Sequence, residues 1–251
     1  MSDACYYLKF GLIVTGETER GHLPRLFRSV MNTGICHFEV IKFIPQLRPI
    51  TSPAREIEMP GTGKRIPRKD EQIGLEARGW LAEACTFVIL IDDLEPDWRD
   101  QAQQVYERYR HALDTILLPN QQRRAAVHFL VNMLEAYFFA DANAVNTVLG
   151  LNPPLEDHNG DVEEIRNPKS LIKHQFQGYN EIEHGGAILE RLDVEHILSN
   201  PATCAWLRTL FAWCVRALAA YPDSDSLPIP DYKLAEGVFS PITRGQIDAL
   251  P

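Results

Sequence analysis

The sequence predicts an α/β fold: a mostly parallel sheet flanked by helices, with a helical subdomain at the C-terminal end. Residues 86–95 are apolar without alternation until they end in acidic residues, which is typical of a strand covered on both faces. Apolar runs alternate with helical repeats as far as residue 150, and this order favours parallel strands joined by right-handed crossovers. We therefore expect an α/β domain at residues 1–150, followed by a helical subdomain with a proline-rich tail at residues 151–251.

In the first domain, β-rich apolar runs predict the strands, and apolar residues recurring at three and four positions predict the helices. The predicted strands cover residues 6–14, 38–44, 86–95 and 125–131. The predicted helices cover residues 23–31, 71–84, 98–117 and 136–149. Residues 45–70 are rich in prolines, glycines and basic side chains, so we expect a long surface loop there.

After a polar, acidic connector, the second half of the chain carries helical patterns alone. We expect helices at residues 168–175, 184–189, 194–198 and 201–220. In the last of them, Asn200 is the expected N-cap and Pro201 the first helical residue. The remaining stretch at residues 222–251 is rich in proline and is expected to form an extended tail on the surface.

Composition narrows the class of protein. The formal net charge of -9 argues against coating nucleic acid by bulk electrostatics, so contacts with a polyanion would need local basic patches. The five cysteines are scattered and never spaced as CxxC, which favours a reduced, zinc-free cytoplasmic protein. The sequence shows no signal-peptide pattern and no apolar run long enough for a membrane span, so we expect no export and no membrane association.

Acidic residues stand at the ends of three of the predicted strands. Because the carboxyl ends of parallel strands meet at one edge of a sheet, these acids are expected to share a crevice where ions or ligands bind. Their hard oxygen atoms suit Mg²⁺ or Mn²⁺. Taken singly, each acid is more often a helix cap or a solvated turn residue than a metal ligand, and it is their coincidence on three strands that points to a metal site. The acids are Glu17 and Glu19 at the end of the first strand, Asp92, Asp93 and Glu95 at the end of the central strand, and Glu135 at the end of the last.

Five short motifs are spread along nearly the whole chain. They are Val14-Thr-Gly-Glu-Thr-Glu19, Ile89-Leu-Ile-Asp-Asp-Leu-Glu95, Asn132-Met-Leu-Glu-Ala-Tyr-Phe-Phe-Ala-Asp141, Asn167-Pro-Lys169 and Tyr179-Asn-Glu-Ile-Glu-His-Gly185. The order strand, Gly-x-Thr-Glu turn, helix, strand, helix and acid-ended strand is similar to the Toprim (topoisomerase-primase) fold. With these motifs, the chain resembles a Toprim-like family of unknown function, found beside ATPases in bacterial defence loci and related to the nuclease half of OLD-type proteins.

This resemblance implies a Mg²⁺- or Mn²⁺-dependent nuclease, acting on DNA or RNA within an anti-phage defence system. Toprim nucleases place a glutamate just after the first strand, but Thr15 stands at that position here, so Glu17 or Glu19 would have to substitute. Asp93-x-Glu95 is the nearest equivalent of the family's Asp-x-Asp pair. The expected catalytic residues are Glu17, Glu19, Asp93 and Glu135, and the expected metal ligands are Glu19, Asp92, Asp93, Glu95 and Glu135.

Two other functions stay open. The Thr15 substitution and the acidic net charge are compatible with a catalytically inactive Toprim-like adaptor that binds an ATPase partner. A hydrolase of small phosphates on the same acidic crevice is the third possibility. A homodimer is also possible.

The basic stretch Pro60-Gly-Thr-Gly-Lys-Arg65 lacks the first glycine and the final Ser or Thr of a P-loop and follows no strand, so nucleotide binding is rejected there. We expect instead that Lys64, Arg65 and Arg68 lie along a phosphate backbone, unless they are simply solvated. His128 is expected in the core. Lys169 would line the acidic crevice if the helical half folds back on it.

Overall fold

The computed structural model describes residues 4–45, 56–58, 63–68 and 70–250. We number its strands and helices in chain order. The strands are β1 (Leu8–Val14), β2 (Cys36–Phe43), β3 (Glu56–Glu58), β4 (Arg65–Pro67), β5 (Thr86–Leu94) and β6 (Ala125–Val131).

The α-helices are α1 (Glu17–His22), α2 (Arg28–Met31), α3 (Glu71–Trp80), α4 (Ala102–Ile116), α5 (Pro119–Gln122), α6 (Ala142–Leu149), α7 (Pro168–Gln175), α8 (Glu183–Leu189), α9 (Val194–Ile197), α10 (Ala205–Leu218) and α11 (Gly245–Asp248). Shorter 3-10 turns cover Leu23–Phe27, Pro96–Gln101, Leu134–Ala140, Val162–Glu164 and Ser224–Ser226.

The predicted parallel sheet is confirmed: its strand order is β2-β1-β5-β6, and every neighbouring pair is parallel. The central strand β5 is buried on both faces, as its unbroken apolar run indicated. Val14 lies beside Ile91, and Val131 lies beside Leu94. The sheet register therefore brings the residues that follow β1 and β6 next to the acidic end of β5.

Two hydrophobic cores cover the faces of the sheet. On one face, α3 and α4 pack against β5 and β6. On the other, the 3-10 turn Leu23–Phe27, α8 and α10 pack against the sheet in a core that includes residues from both predicted halves of the chain. The Trp213 indole of α10 contacts the rings of Phe10, Phe87 and His128. The helical half is thus built onto the sheet.

His128 lies in this second core, as the sequence indicated. It is fully buried, and burial lowers its pKa to about 3. The ring is therefore neutral at physiological pH.

Several predicted boundaries are wrong. The helix expected at residues 201–220 begins at Ala205. Asn200 Oδ1 accepts the amide N–H of Ala202 in a turn before the helix, and Asp161 and Glu163 accept the amides of Cys204 and Trp206 at its start. Its N-cap is Cys204, with a left-handed φ of 55°. The helix expected at residues 136–149 is divided into a 3-10 turn and α6, and Asp141 caps α6 by accepting the amide of Ala144.

The tail is more buried than expected. Ser240 and Thr243 are fully buried, and α11 lies within a stretch that was predicted to be extended. The Gln246 side chain donates to the Val127 carbonyl and accepts its amide, both at 2.8 Å, so it completes the hydrogen bonding of β6 at the edge of the sheet.

The predicted surface loop at residues 45–70 also contains structure. β3 and β4 pair as an antiparallel hairpin. The basic residues Arg48, Arg55 and Lys69, and residues 60–62 of the glycine-rich stretch, lie outside the described residues.

The expectation that all the cysteines are reduced is wrong for one pair. Cys5 and Cys85 form a disulfide that joins the segment before β1 to the segment before β5. Their Cα atoms are 5.4 Å apart, within the range that a disulfide requires. Cys36, Cys204 and Cys214 are free and buried. None of the helices in the described ranges combines the length and apolarity that crossing a bilayer requires.

Candidate functional site

A cavity of about 330 Å³ opens at the carboxyl ends of β1, β5 and β6. The acids predicted to follow these strands reach it, with the exception of Asp92. Residues from the helical half complete its wall. Among the described residues it is lined by Thr15, Gly16, Glu17, Thr18, Glu19, Asp93, Glu95, Met133, Glu135, Lys169, Glu181 and Ile182.

Glu19 is the buried acid of the first turn. It is 4% exposed, and a Cβ built on Gly16 would lie 1.8 Å from Glu19 Oε2, so the carboxylate folds back over the glycine. Gly16 has a φ of -105°, which any residue can adopt; glycine is needed there for space. The Glu17 side chain, by contrast, is 59% exposed and pairs with Arg20 at 3.5 Å. Of the two alternatives that the sequence left open, Glu19 therefore lies deepest in the cavity.

Asp92 and Asp93 point to different surroundings, as successive residues of a strand do. The buried Asp92 carboxylate accepts the hydroxyl of Thr15 at 2.6 Å and that of Tyr109 at 2.8 Å. The Thr15 hydroxyl also accepts the amide of Asp93 at 3.3 Å. Asp92, which was predicted as a metal ligand, thus ties the ends of β1 and β5 to α4, while Asp93 lines the cavity. Thr15 has a structural role at the position where the resemblance places a glutamate.

Glu135 reaches the cavity through an unusual turn. Asn132 and Met133 directly follow β6 and have φ values of 58° and 75°, a region that residues other than glycine rarely adopt. The two residues turn the chain into the 3-10 helix Leu134–Ala140, which carries Glu135. Glu135 is 5% exposed. Backbone strain of this kind persists only where surrounding contacts hold it in place.

Lys169 brings a positive charge into the acidic cavity. It lies in the first turn of α7, and its Nζ is 2.9 Å from Glu181 Oε2 and 4.0 Å from Glu135 Oε1. Its side chain is 28% exposed. Burial lowers the pKa of Lys169, but the hydrogen bond to Glu181 and the charge of Glu135 outweigh this effect, so the net shift is upward. The helical half therefore supplies a charged ammonium group to the strand-end acids.

Burial, with the charges of neighbouring carboxylates, raises the pKa values of the cavity acids. Burial raises the pKa of Glu19 to about 7, and the charges of Glu135 and Asp92 add to the effect. Burial, then the charges of Glu19 and Glu135, raise the pKa of Asp93 well above its usual range. Burial also raises the pKa of Glu135, against the opposing charge of Lys169. These acids are close enough to interact, and the carboxyl groups outnumber the Lys169 ammonium beside them.

The donor chemistry of the cavity suits a hard dication such as Mg²⁺, which prefers carboxylate oxygens. Buried acids with raised pKa values are also a common feature of functional sites. In the positions that the described residues occupy, however, no group of three or more His, Cys, Asp or Glu side chains is arranged to hold a metal ion. Among the described residues, the cavity thus brings suitable ligand types close together, but their side chains are not arranged around a common metal position.

The remaining predicted site residues lie elsewhere. Lys64, Arg65 and Arg68 are exposed near β4 and are not among the cavity-lining residues. Arg65 pairs with Glu58 at 3.8 Å, and its carbonyl contacts the His111 ring of α4. The structure therefore places this basic group on the hairpin, apart from the cavity wall.

Two contributors were not assigned from the sequence. Glu181 lies in a motif that carries the family resemblance, but its pairing with Lys169 depends on how α7 and α8 fold together. Gly16 follows a buried strand and precedes acidic residues, which is a detectable signal for a close approach between backbone and side chain.

A family model described as "Domain of unknown function (DUF4276)" matches residues 14–211. The matched range contains every residue that lines the cavity. No curated protein and no solved structure matches the chain.

Proposed function

This chain belongs to the DUF4276 family, a domain of unknown function, and from its own cavity we propose that it is a metal-dependent phosphodiester hydrolase, a nuclease. The observation that supports this proposal is the convergence of Glu19, Asp93 and Glu135 on one cavity. These residues are distant in sequence and lie at or after the carboxyl ends of three different strands. Grouping like charges in a buried place is costly, and such an arrangement is typical of sites that use them for chemistry.

In this proposal, Glu19, Asp93 and Glu135 would hold Mg²⁺ or Mn²⁺, with Glu95 at the same cavity and Asp92 behind it. When bound, the ion would neutralise charge on the phosphate and activate water for hydrolysis. The Toprim resemblance of the strand-end motifs supports the same ligand type. We assign Glu19 to the role of the family's glutamate. Its carboxylate folds back over Gly16, and Gly16 directly follows Thr15, the position at which the resemblance places that glutamate.

Lys169 would face the substrate phosphate. Its ammonium is held at the cavity by Glu181 and is charged at neutral pH. A fixed positive charge in a site of low dielectric stabilises negative charge that develops on a phosphate far better than a solvated one does. We assign Lys169 to phosphate binding and charge stabilisation, and Glu181 to holding the lysine in place.

The proposed substrate is DNA or RNA. Because the formal net charge is -9, binding would depend on local basic side chains. The exposed Lys64, Arg65 and Arg68 are proposed contacts for a longer polymer that extends beyond the cavity. An ATPase partner, a role in phage defence, a homodimer and a cytoplasmic location are further parts of this proposal.

The test combines metal binding with cleavage. Purified protein should bind Mn²⁺ by calorimetry and should cleave single- or double-stranded DNA or RNA only with Mg²⁺ or Mn²⁺ present. The Asp93→Asn and Glu135→Gln variants should lose both properties. Glu39→Gln, which removes an exposed carboxylate on β2, is the control and should behave like the wild-type protein. A wild-type protein that neither binds Mn²⁺ nor cleaves any of these polymers would refute the nuclease proposal.

One observation favours the second candidate, an inactive adaptor that binds an ATPase partner. Asp92 is engaged by Thr15 and Tyr109, so one acid of the strand-end cluster has a structural role. Phage protection in cells separates the two functions. An Asp93→Asn, Glu135→Gln double variant that retains full protection would support the adaptor, whereas loss of protection in a folded variant would support the nuclease.

A further inference from the structure

Behind the cavity lies a buried carboxylate that does not line it. Glu163 is 2% exposed and lies in the 3-10 turn Val162–Glu164. Its Oε1 accepts the amides of Trp206 and Leu207, both at 3.1 Å, in the first turn of α10. On these contacts alone, Glu163 would be a helix cap, which stabilises the 14-residue α10.

Glu163 also contacts the turn that delivers Glu135. The hydroxyl of Tyr137 donates to Glu163 Oε1 at 2.9 Å and accepts the amide of Val131, the last residue of β6, at 3.3 Å. The Asn132 side chain donates to the Glu163 carbonyl at 2.7 Å. Tyr137 and Asn132 are both almost fully buried. One residue therefore joins α10 to both sides of the strained turn at Asn132 and Met133.

These contacts bracket Glu135 closely. Asn132 precedes it by three residues, and Tyr137 follows it by two in the same 3-10 helix. A backbone in a rarely populated conformation returns to a common one unless its surroundings fix it. If the Tyr137 hydroxyl could not donate to the Glu163 carboxylate, the 3-10 helix would lose a contact that fixes the direction of its first turn.

We propose that Glu163 is a positioning residue of the cavity, which acts through Tyr137 and Asn132 to hold Glu135 in place. This inference rests on the proposed function for its effect on activity, but its structural content concerns Glu135 alone. In this role, Glu163, in the segment between the two halves of the chain, orients Glu135 just after the end of β6.

The test uses Glu163→Met, which keeps the length of the side chain but removes both acceptor oxygens, and Tyr137→Phe, which removes the side-chain link to the turn and leaves the α10 cap intact. Glu164→Met is the matched control, because the neighbouring Glu164 side chain is 65% exposed and bonded to Arg99. We expect both positioning variants to bind Mn²⁺ about tenfold more weakly and to lower kcat by about tenfold, the lower range for residues that orient ligands. KM should change less than kcat, and Glu164→Met should match the wild-type protein.

Thermal unfolding separates positioning from capping. A cap alone predicts that Glu163→Met lowers the Tm while Tyr137→Phe leaves Mn²⁺ binding and kcat unchanged, and that result would overturn the inference. Crystal structures of the wild-type protein and both variants give a readout independent of activity. Displacement of the Glu135 carboxylate supports the inference, and an unmoved carboxylate overturns it. If the wild-type protein shows neither Mn²⁺ binding nor cleavage, the proposed function fails, and the position of Glu135 in these crystals still decides the role of Glu163.

Discussion

At the carboxyl edge of the sheet, a cavity is lined by the acids Glu19, Asp93 and Glu135 together with Lys169. Between α3 and α4, by contrast, the buried Asp70 forms an ion pair with Arg108. Arg108 donates to both oxygens of Asp70, at 2.6 and 2.7 Å. Asp70 is fully buried, and this pair joins the start of α3 to α4. The one-to-one pair satisfies its charges, as structural ion pairs do. The cavity acids outnumber the Lys169 ammonium, and burial together with their mutual charge raises their pKa values, which is a common feature of functional sites.

The largest effect on cleavage is expected from a substitution among the cavity acids Glu19, Asp93 and Glu135. Asp93→Asn should lower nucleic acid cleavage by roughly 10²–10⁴-fold, the usual range for losing a catalytic acid or base or an electrostatic stabiliser. Its Tm should stay the same or rise, because one of several repelling acids is gone. Cleavage assays and calorimetric unfolding of the same preparation check both results. A large loss of Tm would show that Asp93 is structural, as Asp70 is.

Breaking the ion pair between Asp70 and Arg108 should instead lower stability and leave cleavage activity unchanged. Arg108→Ala leaves Asp70 buried without its arginine and should lower the free energy of unfolding by about 3–5 kcal/mol. Arg99→Ala, which removes the partner of the largely exposed Glu164, should cost less than about 1 kcal/mol. Urea unfolding measures both. Arg108→Ala protein that remains folded should keep its specific cleavage activity, and a selective loss of activity would connect this pair to the cavity.

A smaller effect is expected from moving a carboxylate without removing it. A Cβ at position 16 would overlap the Glu19 carboxylate, so Gly16→Ala should displace it and lower cleavage by about tenfold, within the range for residues that orient a site. Gly16→Ser keeps the overlap but supplies a favourable N-cap for α1, so a loss shared by both variants reports the displacement. Gly21→Ala is the control, since its Cβ meets open space. Wild-type cleavage by both position-16 variants would remove Glu19 from the site.

A further expected effect is a pH dependence of stability from Glu163. Burial raises its pKa to about 7 in the folded protein, against an ordinary value of 4.5. At a pH between these two pKa values, Glu163 is protonated in the folded state and ionised in the unfolded state. The stability that comes from this difference is therefore complete below pH 4.5 and is lost as the pH rises through about 7. Urea unfolding from pH 5 to 8 should show this decline, and it should be shallower in Glu163→Gln. An equal slope in both proteins would contradict the assignment.

The strands were predictable because their signal is local. The runs at β1, β5 and β6 are mostly apolar and lack a regular alternation with polar residues, and such runs predict strands buried on both faces without reference to distant residues. Parallel topology then brings their carboxyl ends to one edge, so the convergence of Glu19, Asp93 and Glu135 follows from the order of strands along the chain.

Other features depended on side-chain direction and packing. Glu17 and Glu19 are equally plausible in sequence, and the choice between them follows from the way that Glu19 folds over Gly16. Asp92 and Asp93 are adjacent and chemically identical, yet β5 directs one toward Thr15 and Tyr109 and the other toward the cavity. The boundary of α10 was mispredicted because Asp161 and Glu163, about 40 residues earlier, accept its first amides in place of Asn200.

By itself, the sequence determined the α/β class, the parallel order of elements and the edge of the sheet at which the acids gather, since apolar periodicity and chain direction are local properties. Only the tertiary structure decided which acids enter the cavity, that Lys169 and Glu181 meet them there, and that Glu163 lies behind Glu135. These contacts join residues roughly 30 to 160 positions apart, and their formation depends on how α7, α8 and α10 pack onto the sheet.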